Sequence, residues 1–563
     1  MISTRLASSS LLFIIAPLFA SLTWAAEYYV SPDGSDADPG TSVSTPWRTI
    51  AKANGQLRPG DVVHLLGGEY VNDPIRPARS GSSGAEIRYA AYRGEKPVLT
   101  SDKVAGLGVA VDLTDRSYIV VDGIHVDGVK RNPEARVGHF ANLYRASYNT
   151  IVNCNFRYAR GWHGIRISYE AHHNKLLNNV IDVVGIYDDG SGDDVGDVIQ
   201  ILRGSHHNLI QGNVITRGAH NLLQVDADNN VIIENTFDND WSEIVGAGKG
   251  GRNLTLMGKQ NLFERNIVRN AGRSSDAPSN AGMKTEGEGN IVRRNFIYGN
   301  SREGITSQTR RSQKVARDNH IFHNTIYFNG GAAWGLTFYD GGNGVTGNVF
   351  KNNIVYANRR DSGNGDVDFR FRLKANPDGV VGQSLIEGNL IAKQSSRDAM
   401  VEIESGGGVT SLEEAERQYA EFIKGNIQDS PTFVSSSPSK PEDFALMPGS
   451  RGVDEAAPLT RTRSAGSGKV VPLEDAGYFS DGLGVIAGDR IQIGGAPVRR
   501  VVDVDYADHT VTLTESAQWE AGAGVSLEYS GAGPDIGARE LGGSDPAPLR
   551  RPKAPGRLSG IVR

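Results

Sequence analysis

The residue best suited to proton chemistry is Lys284, in the run Asn280-Ala-Gly-Met-Lys-Thr-Glu-Gly287. An amine with a depressed pKa can take a weakly acidic proton; the competing reading is a surface lysine that stays charged and solvated. A second set is acidic: Asp188-Asp189, then Gly192-Asp193-Asp194-Val195-Gly196-Asp197. Clustered carboxylates on a glycine-rich loop suit a hard, oxygen-seeking cation, the alternative being an acidic surface loop without metal. A third set is basic: His163, Arg166, His172, His173, His206, His207, Arg217, His220 and Lys249. The pairs 172–173 and 206–207 precede strands and read as stacked turn residues. His220, just before Asn221-Leu-Leu-Gln-Val-Asp226, is the better candidate, sharing a groove with Asp226 and Arg166.

These residues lie within one repeating framework. From about Ser147 to Leu390 a phrase of the form Asn-(four residues)-Asn-x-Ile recurs, its second polar residue reading Asn155, Asn179, Asn213, Asn235, Asn266, Asn295, Asn324, Asn353 and Asn389. The steps are 24, 34, 22, 31, 29, 29, 29 and 36 residues, a solenoid period. Apolar and polar side chains alternate in each copy, as in a strand with one buried face. One rung cannot bury that face alone, so rungs must stack in parallel. The expected fold is all-β: a right-handed parallel β-helix with an N-terminal cap helix and a small C-terminal antiparallel β module. The asparagines are expected at the corners, in left-handed conformation, bonded along a ladder of their own kind.

Aligning the strand after each phrase (HGIRIS, DVIQIL, NLLQVD, RNLTLM, AGMKTEG, EGITSQ, WGLTFY) points the apolar neighbours inward. One outward column then reads Arg166, Gln200, Gln224, Thr255, Lys284, Thr306 and Thr337, with Asp226 and Glu286 beside it. Rungs about 4.8 Å apart would let this column track a sugar chain, or simply cover a solvated face. Arg310 follows Lys284 by one rung, past the strand end.

The setting of Lys284 resembles the "NGFKLGG" setting of the catalytic lysine in family 9 polysaccharide lyases, and Asp193, Asp194 and Asp197 match that family's calcium-binding "DDxxD" motif. The opening YYVSPDGSD…PGT…PW and the closing PDIGARE resemble those of secreted β-helix carbohydrate-active proteins. The resemblance implies β-elimination of an acidic, uronate-containing polysaccharide. Lys284 would be the base, with Arg166 and His220 as further catalytic residues. Gln200, Gln224, Asp226, Glu286 and Arg310 would bind substrate, and Asp193, Asp194 and Asp197 would hold Ca2+. The acidic cluster stands about three rungs from Lys284, roughly 14 Å in a regular stack, and no upstream match exists for the family's additional aspartate ligand. A glycoside hydrolase or epimerase on the same scaffold, and a non-catalytic polysaccharide-binding or adhesin-like protein, are the alternatives.

Composition agrees with an exported protein. Residues 1–26 read as a cleavable signal peptide, so a secreted or periplasmic location is expected. A net charge of −6 gives no basic field for nucleic acid. The apolar run of the leader is too short for a permanent anchor, so no membrane association is expected; a monomer is. The single cysteine, Cys154, reads as a buried apolar residue. Residues 27–130 should form a cap helix (Trp47–Asn54, opened by Thr45-Pro46) and irregular first rungs. The regular β-helix should run over 131–395. Irregular rungs and a helix opened by Ser411 should occupy 396–465, the β module and return to the solenoid 466–541, and a disordered tail 542–563. Asp33, Asp36 and Asp38 read as a solvated turn, calcium being the alternative.

Overall fold

The computed structural model describes residues 25–102, 106–128, 137–159, 161, 163–185, 196–241, 251–273, 281–308, 315–329, 336–339, 345–358, 369–372, 384–391, 400–403 and 408–543. The expected signal peptide and the tail beyond 543 lie outside these residues, apart from 25–26 and 542–543. So do Asp193, Asp194 and Arg310.

The chain winds through three parallel sheets. The first has fourteen strands, from Glu27–Val30 to Ile423–Lys424; the second has twelve, from Gly68–Val71 to Leu390–Ile391; the third has ten, from Leu107–Asp112 to Phe369–Arg372. Inward side chains from all three, such as Leu176 of the first, Ile181 of the second and Ile165 of the third, form one continuous apolar core. Burying that stripe is what stacks the rungs.

Two long asparagine ladders hold the corners of the first sheet. Asn295 shows the unit. Its amide donates to Asn324 Oδ1 (2.9 Å) and Phe263 O (3.1 Å), while its Oδ1 accepts from Asn266 N (2.8 Å). Each buried amide thereby satisfies turn groups of adjacent rungs. The left-handed residue is the one before the ladder asparagine, as at Asn178, Arg265, Arg294 and His323. The asparagine itself turns its amide into the corner. The expected ladder position Asn155 is also corrected: Cys154 N donates to Asn179 Oδ1 (2.9 Å), and Asn155 opens the next strand opposite Val180. Cys154 is buried as expected, and that burial pushes its thiol up to about 12. A further ladder, Asn300–Asn329–Asn358, braces the second sheet's far end.

The cap helix spans Ile50–Gln56, three residues later than expected, with Thr49 as N-cap. Trp47 cannot join it, because its buried ring stacks on Tyr28 at 4.6 Å. Asp36 accepts from Arg48 N and Thr49 N, and Asp73 from Ile50 N and Ala51 N, carboxylates at the end where the helix dipole favours them. The second helix, Leu412–Gln418, has Ser411 Oγ accepting from Glu414 N as the sequence indicated.

Six antiparallel strands between Thr460 and Leu527 form the C-terminal module. Its apolar residues pack on outward side chains of the first sheet, including Val231, Leu262, Ile291 and Phe322. Buried Arg293 clips the two together, donating to Glu264 Oε2 (2.8 Å) and to Asp489 Oδ1 (2.5 Å) and Oδ2 (2.7 Å). The closing segment returns to the solenoid: Ile536 is buried against the second sheet, and Gly537 N donates to Asn352 O. Module and closing segment therefore pack on the first and second sheets, and the chemistry-bearing column belongs to the third.

Candidate functional site

The third sheet places the column in register. Asn142 pairs with Arg166, Arg166 with Gln200, Gln200 with Gln224, Gln224 with Thr255, Thr255 with Lys284, Lys284 with Thr306, and Thr306 with Thr337. The middle of the column is not a solvated face. Gln200 is 7% exposed, Thr255 5%, Lys284 5% and Thr306 4%. Arg166 and Gln224 are half-buried, and Asp226 is exposed.

Lys284 lies in the strand Met283–Thr285, and Glu286 follows it by two residues, on the same face by strand alternation. Their side chains form an ion pair, 6% and 7% exposed. Both charges are thus removed from water and compensated by one another, the condition under which a buried lysine is tolerated.

Three rungs away, Asp197 gathers a second cluster. Its Oδ1 accepts from His220 Nδ1 (2.8 Å), Asn221 N (3.0 Å) and Asn221 Nδ2 (2.8 Å), and its Oδ2 from Gln200 Nε2. Burial alone would raise the Asp197 pKa. The hydrogen bonds and the imidazole of His220 outweigh it and hold the carboxyl below its ordinary value. The network runs toward Lys284: Thr255 Oγ1 donates to Asn221 Oδ1 (3.2 Å), and Thr255 neighbours Lys284 in register. Two buried atoms of the column, Arg166 Nε and Gln200 Oε1, have no hydrogen-bond partner among the described residues, and such atoms call for a ligand or a reason.

The structure thus brings Asp197, Gln200, Gln224 and His220 together, and separately Lys284 with Glu286. Arg166 stands four rungs from Lys284, roughly 19 Å along the sheet, and His220 two rungs, roughly 10 Å. Neither adjoins Lys284 in the sheet. Asn221, which bonds Thr255 to the Asp197 cluster, had no assigned role in the sequence, and Thr255 only its place in the column; among the described strands of the third sheet, Asn221 alone opens one with an amide.

Calcium was implied at Asp193, Asp194 and Asp197. A calcium ligand offers oxygen lone pairs to the ion, whereas Asp197 Oδ1 already accepts from three N–H donors and its Oδ2 from one. Among the described residues no three His, Cys, Asp or Glu side chains form a group that could hold a metal. Asp197 as arranged is engaged by protein donors, Asp193 and Asp194 lie outside the described residues, and no chemical step is drawn through calcium. Among the described residues no helix is long and apolar enough to cross a membrane.

Residues 28–329 match the family model described as "Pel9A-like, right handed beta helix region". Pectate lyase PEL9 of Emericella nidulans is 33% identical over 112 residues, 19% of this chain and 27% of that protein. Pectate lyase L of Dickeya chrysanthemi is 26% identical over 329 residues, 54% of this chain and 72% of that protein. Among solved structures, pectate lyase Pel9A aligns over 92% of this chain and 97% of its own, at 16% identity and a TM-score of 0.49.

Proposed function

Because the chain belongs to the Pel9A-like right-handed β-helix family, we propose that it is a polysaccharide lyase. It cleaves an acidic, uronate-containing polysaccharide by β-elimination, with Lys284 as the base. The observation that carries this reading is the buried Lys284–Glu286 pair in the middle of the in-register column. A buried ion pair is weak in stability terms against apolar residues of the same size, so its presence on the outward side of a sheet argues for a chemical role.

The pair can run the elimination without another protein group. Transfer of one proton from Lys284 to Glu286 leaves a neutral amine beside a carboxylic acid. Nζ then takes the proton from the ring carbon next to the uronate carboxylate. The electrons of that C–H bond form the new C=C bond, and the glycosidic C–O bond at the neighbouring carbon breaks. The departing oxygen takes the proton from Glu286, which restores the ion pair. Thr306, adjacent to Lys284 in register, offers its hydroxyl to the substrate carboxylate.

The rest of the column serves as subsites. Rungs about 4.8 Å apart are close to the length of one sugar residue, so Gln224, Gln200 and Arg166 would contact successive sugars away from the cleaved bond. The half-buried guanidinium of Arg166 suits a uronate carboxylate. The test is incubation with pectate, alginate and glycosaminoglycans, with and without a chelator, following the ultraviolet absorbance of unsaturated uronate ends. Absorbance supports elimination; new reducing ends without it indicate hydrolysis and reject the proposal.

A further inference from the structure

Four of the twelve histidines occupy one corner of the solenoid. Ala171-His172-His173-Asn174 and Ser205-His206-His207-Asn208 are the same turn on adjacent rungs, between the third sheet and the first. His172 bridges to His206 in parallel fashion, and His173 and His207 share a left-handed backbone, φ 55° in each. The turn itself does not require imidazole: the bridged position one rung earlier is Ser147, followed by Tyr148, and His207 N bonds to Asn229 O on the rung after.

The rings are arranged as two stacked pairs. His172 lies 5.1 Å from His206 and His173 5.2 Å from His207, each nearly parallel at 4°. Within a rung the rings are perpendicular and their Nδ1 atoms face each other, 2.9 Å apart in His172–His173 and 2.7 Å in His206–His207. One nitrogen of each facing pair must carry a proton for that contact to be a hydrogen bond. All four side chains are half-buried and so reachable from solvent, and Tyr148 stacks on His173 at 4.8 Å, walling one side.

We infer that each His-His turn is a chelating site for a transition-metal dication of tetragonal preference, Cu2+ above all, bound through the two facing Nδ1 atoms. With the shared proton moved to that ring's Nε2, a metal at about 2.0–2.1 Å from both Nδ1 atoms, off the line between them, subtends an N–metal–N angle of roughly 80–90°. That is the cis angle of a square-planar or tetragonal ion; a tetrahedral ion would need the nitrogens about 3.3 Å apart. Each pair supplies two nitrogens, and water completes each coordination sphere. Two dications on adjacent rungs repel one another, so the second ion binds more weakly than the first. The site is independent of the lyase reading.

The experiment is titration of the intact protein with Cu2+ alone, read by calorimetry and by electron paramagnetic resonance. His172→Phe/His206→Phe removes one nitrogen from each pair while keeping a ring for the stacks, and its melting temperature reports that the solenoid is intact. The wild type should bind a first Cu2+ with two-nitrogen imidazole coordination and a second more weakly, and the double variant should lose at least tenfold in affinity. The single variant His206→Phe should retain one site. Cu2+ affinity unchanged in the double variant, a spectrum without imidazole nitrogen, or tighter binding of Zn2+ than of Cu2+ would overturn the assignment.

Discussion

Lys284 and Glu286 stand two residues apart at one strand end and close an ion pair with both side chains almost wholly out of water. Stability and catalysis pull this pair in different directions. Lys284→Ala leaves the Glu286 carboxylate buried and uncompensated, so the fold should lose about 3–5 kcal/mol. The double change Lys284→Met/Glu286→Leu should regain most of that stability while remaining inactive. Chemical denaturation of the three proteins checks the ordering; a single variant as stable as wild type would show that the pair is not buried in solution.

The distance between Arg166 and Lys284 predicts a dependence on substrate length. Arg166→Ala should raise KM for chains long enough to span the four rung steps between them and leave kcat and short-oligomer turnover nearly unchanged. A fall in kcat with every substrate would place Arg166 at the reacting sugar instead.

Ladder asparagines should be costly to replace inside the stack. Asn295→Ala removes an amide that donates to Asn324 and Phe263 and strands the Asn266 N–H, a loss of about 2–4 kcal/mol at roughly 1 kcal/mol per hydrogen bond plus the unsatisfied partner. Asn426, at the end of the same ladder, should cost less than half as much on replacement by alanine. Urea denaturation midpoints compare the two.

Glu540, in the segment that closes against the solenoid, gives a pH signature. Burial and the nearby Asp535 carboxylate raise its pKa from 4.5 to about 7. The folded state therefore holds the proton more tightly than the unfolded state does. The associated stability is fully present below about pH 4.5 and is lost as the pH rises through about 7, up to about 3 kcal/mol at 1.36 kcal/mol per unit. Glu540→Gln should flatten this part of the melting-temperature profile between pH 4.5 and 8 and raise the melting temperature at pH 8. A profile identical to wild type would contradict the assignment.

The fold was legible because the ladder asparagine is both a repeat marker and a structural requirement, and counting rungs from it also yields the column from Arg166 to Thr337. The slip at Cys154 shows the limit: that rung lacks the second ladder asparagine, and Asn155, one residue on, imitates it. The cap helix started late because the ring of Trp47 is taken up by Tyr28, a long-range contact that the Thr45-Pro46 signal cannot report. Lys284 and Glu286 were readable as neighbours on one face, but not their burial or their ion pair. Asp197 looked like a metal ligand by its acidic neighbours; its partners, His220, Asn221 and Gln200, come from its own rung and the next, and only the register reveals them.

The central claim is that Lys284 takes the proton whose loss starts the cleavage. The most direct measurement is the rate of unsaturated uronate formation by wild type and by Lys284→Ala, on whichever uronate polymer the wild type cleaves, at a temperature where both are folded. The predicted result is a loss of roughly 10²–10⁴-fold in kcat, the usual contribution of a positioned base. Full turnover by Lys284→Ala would contradict it.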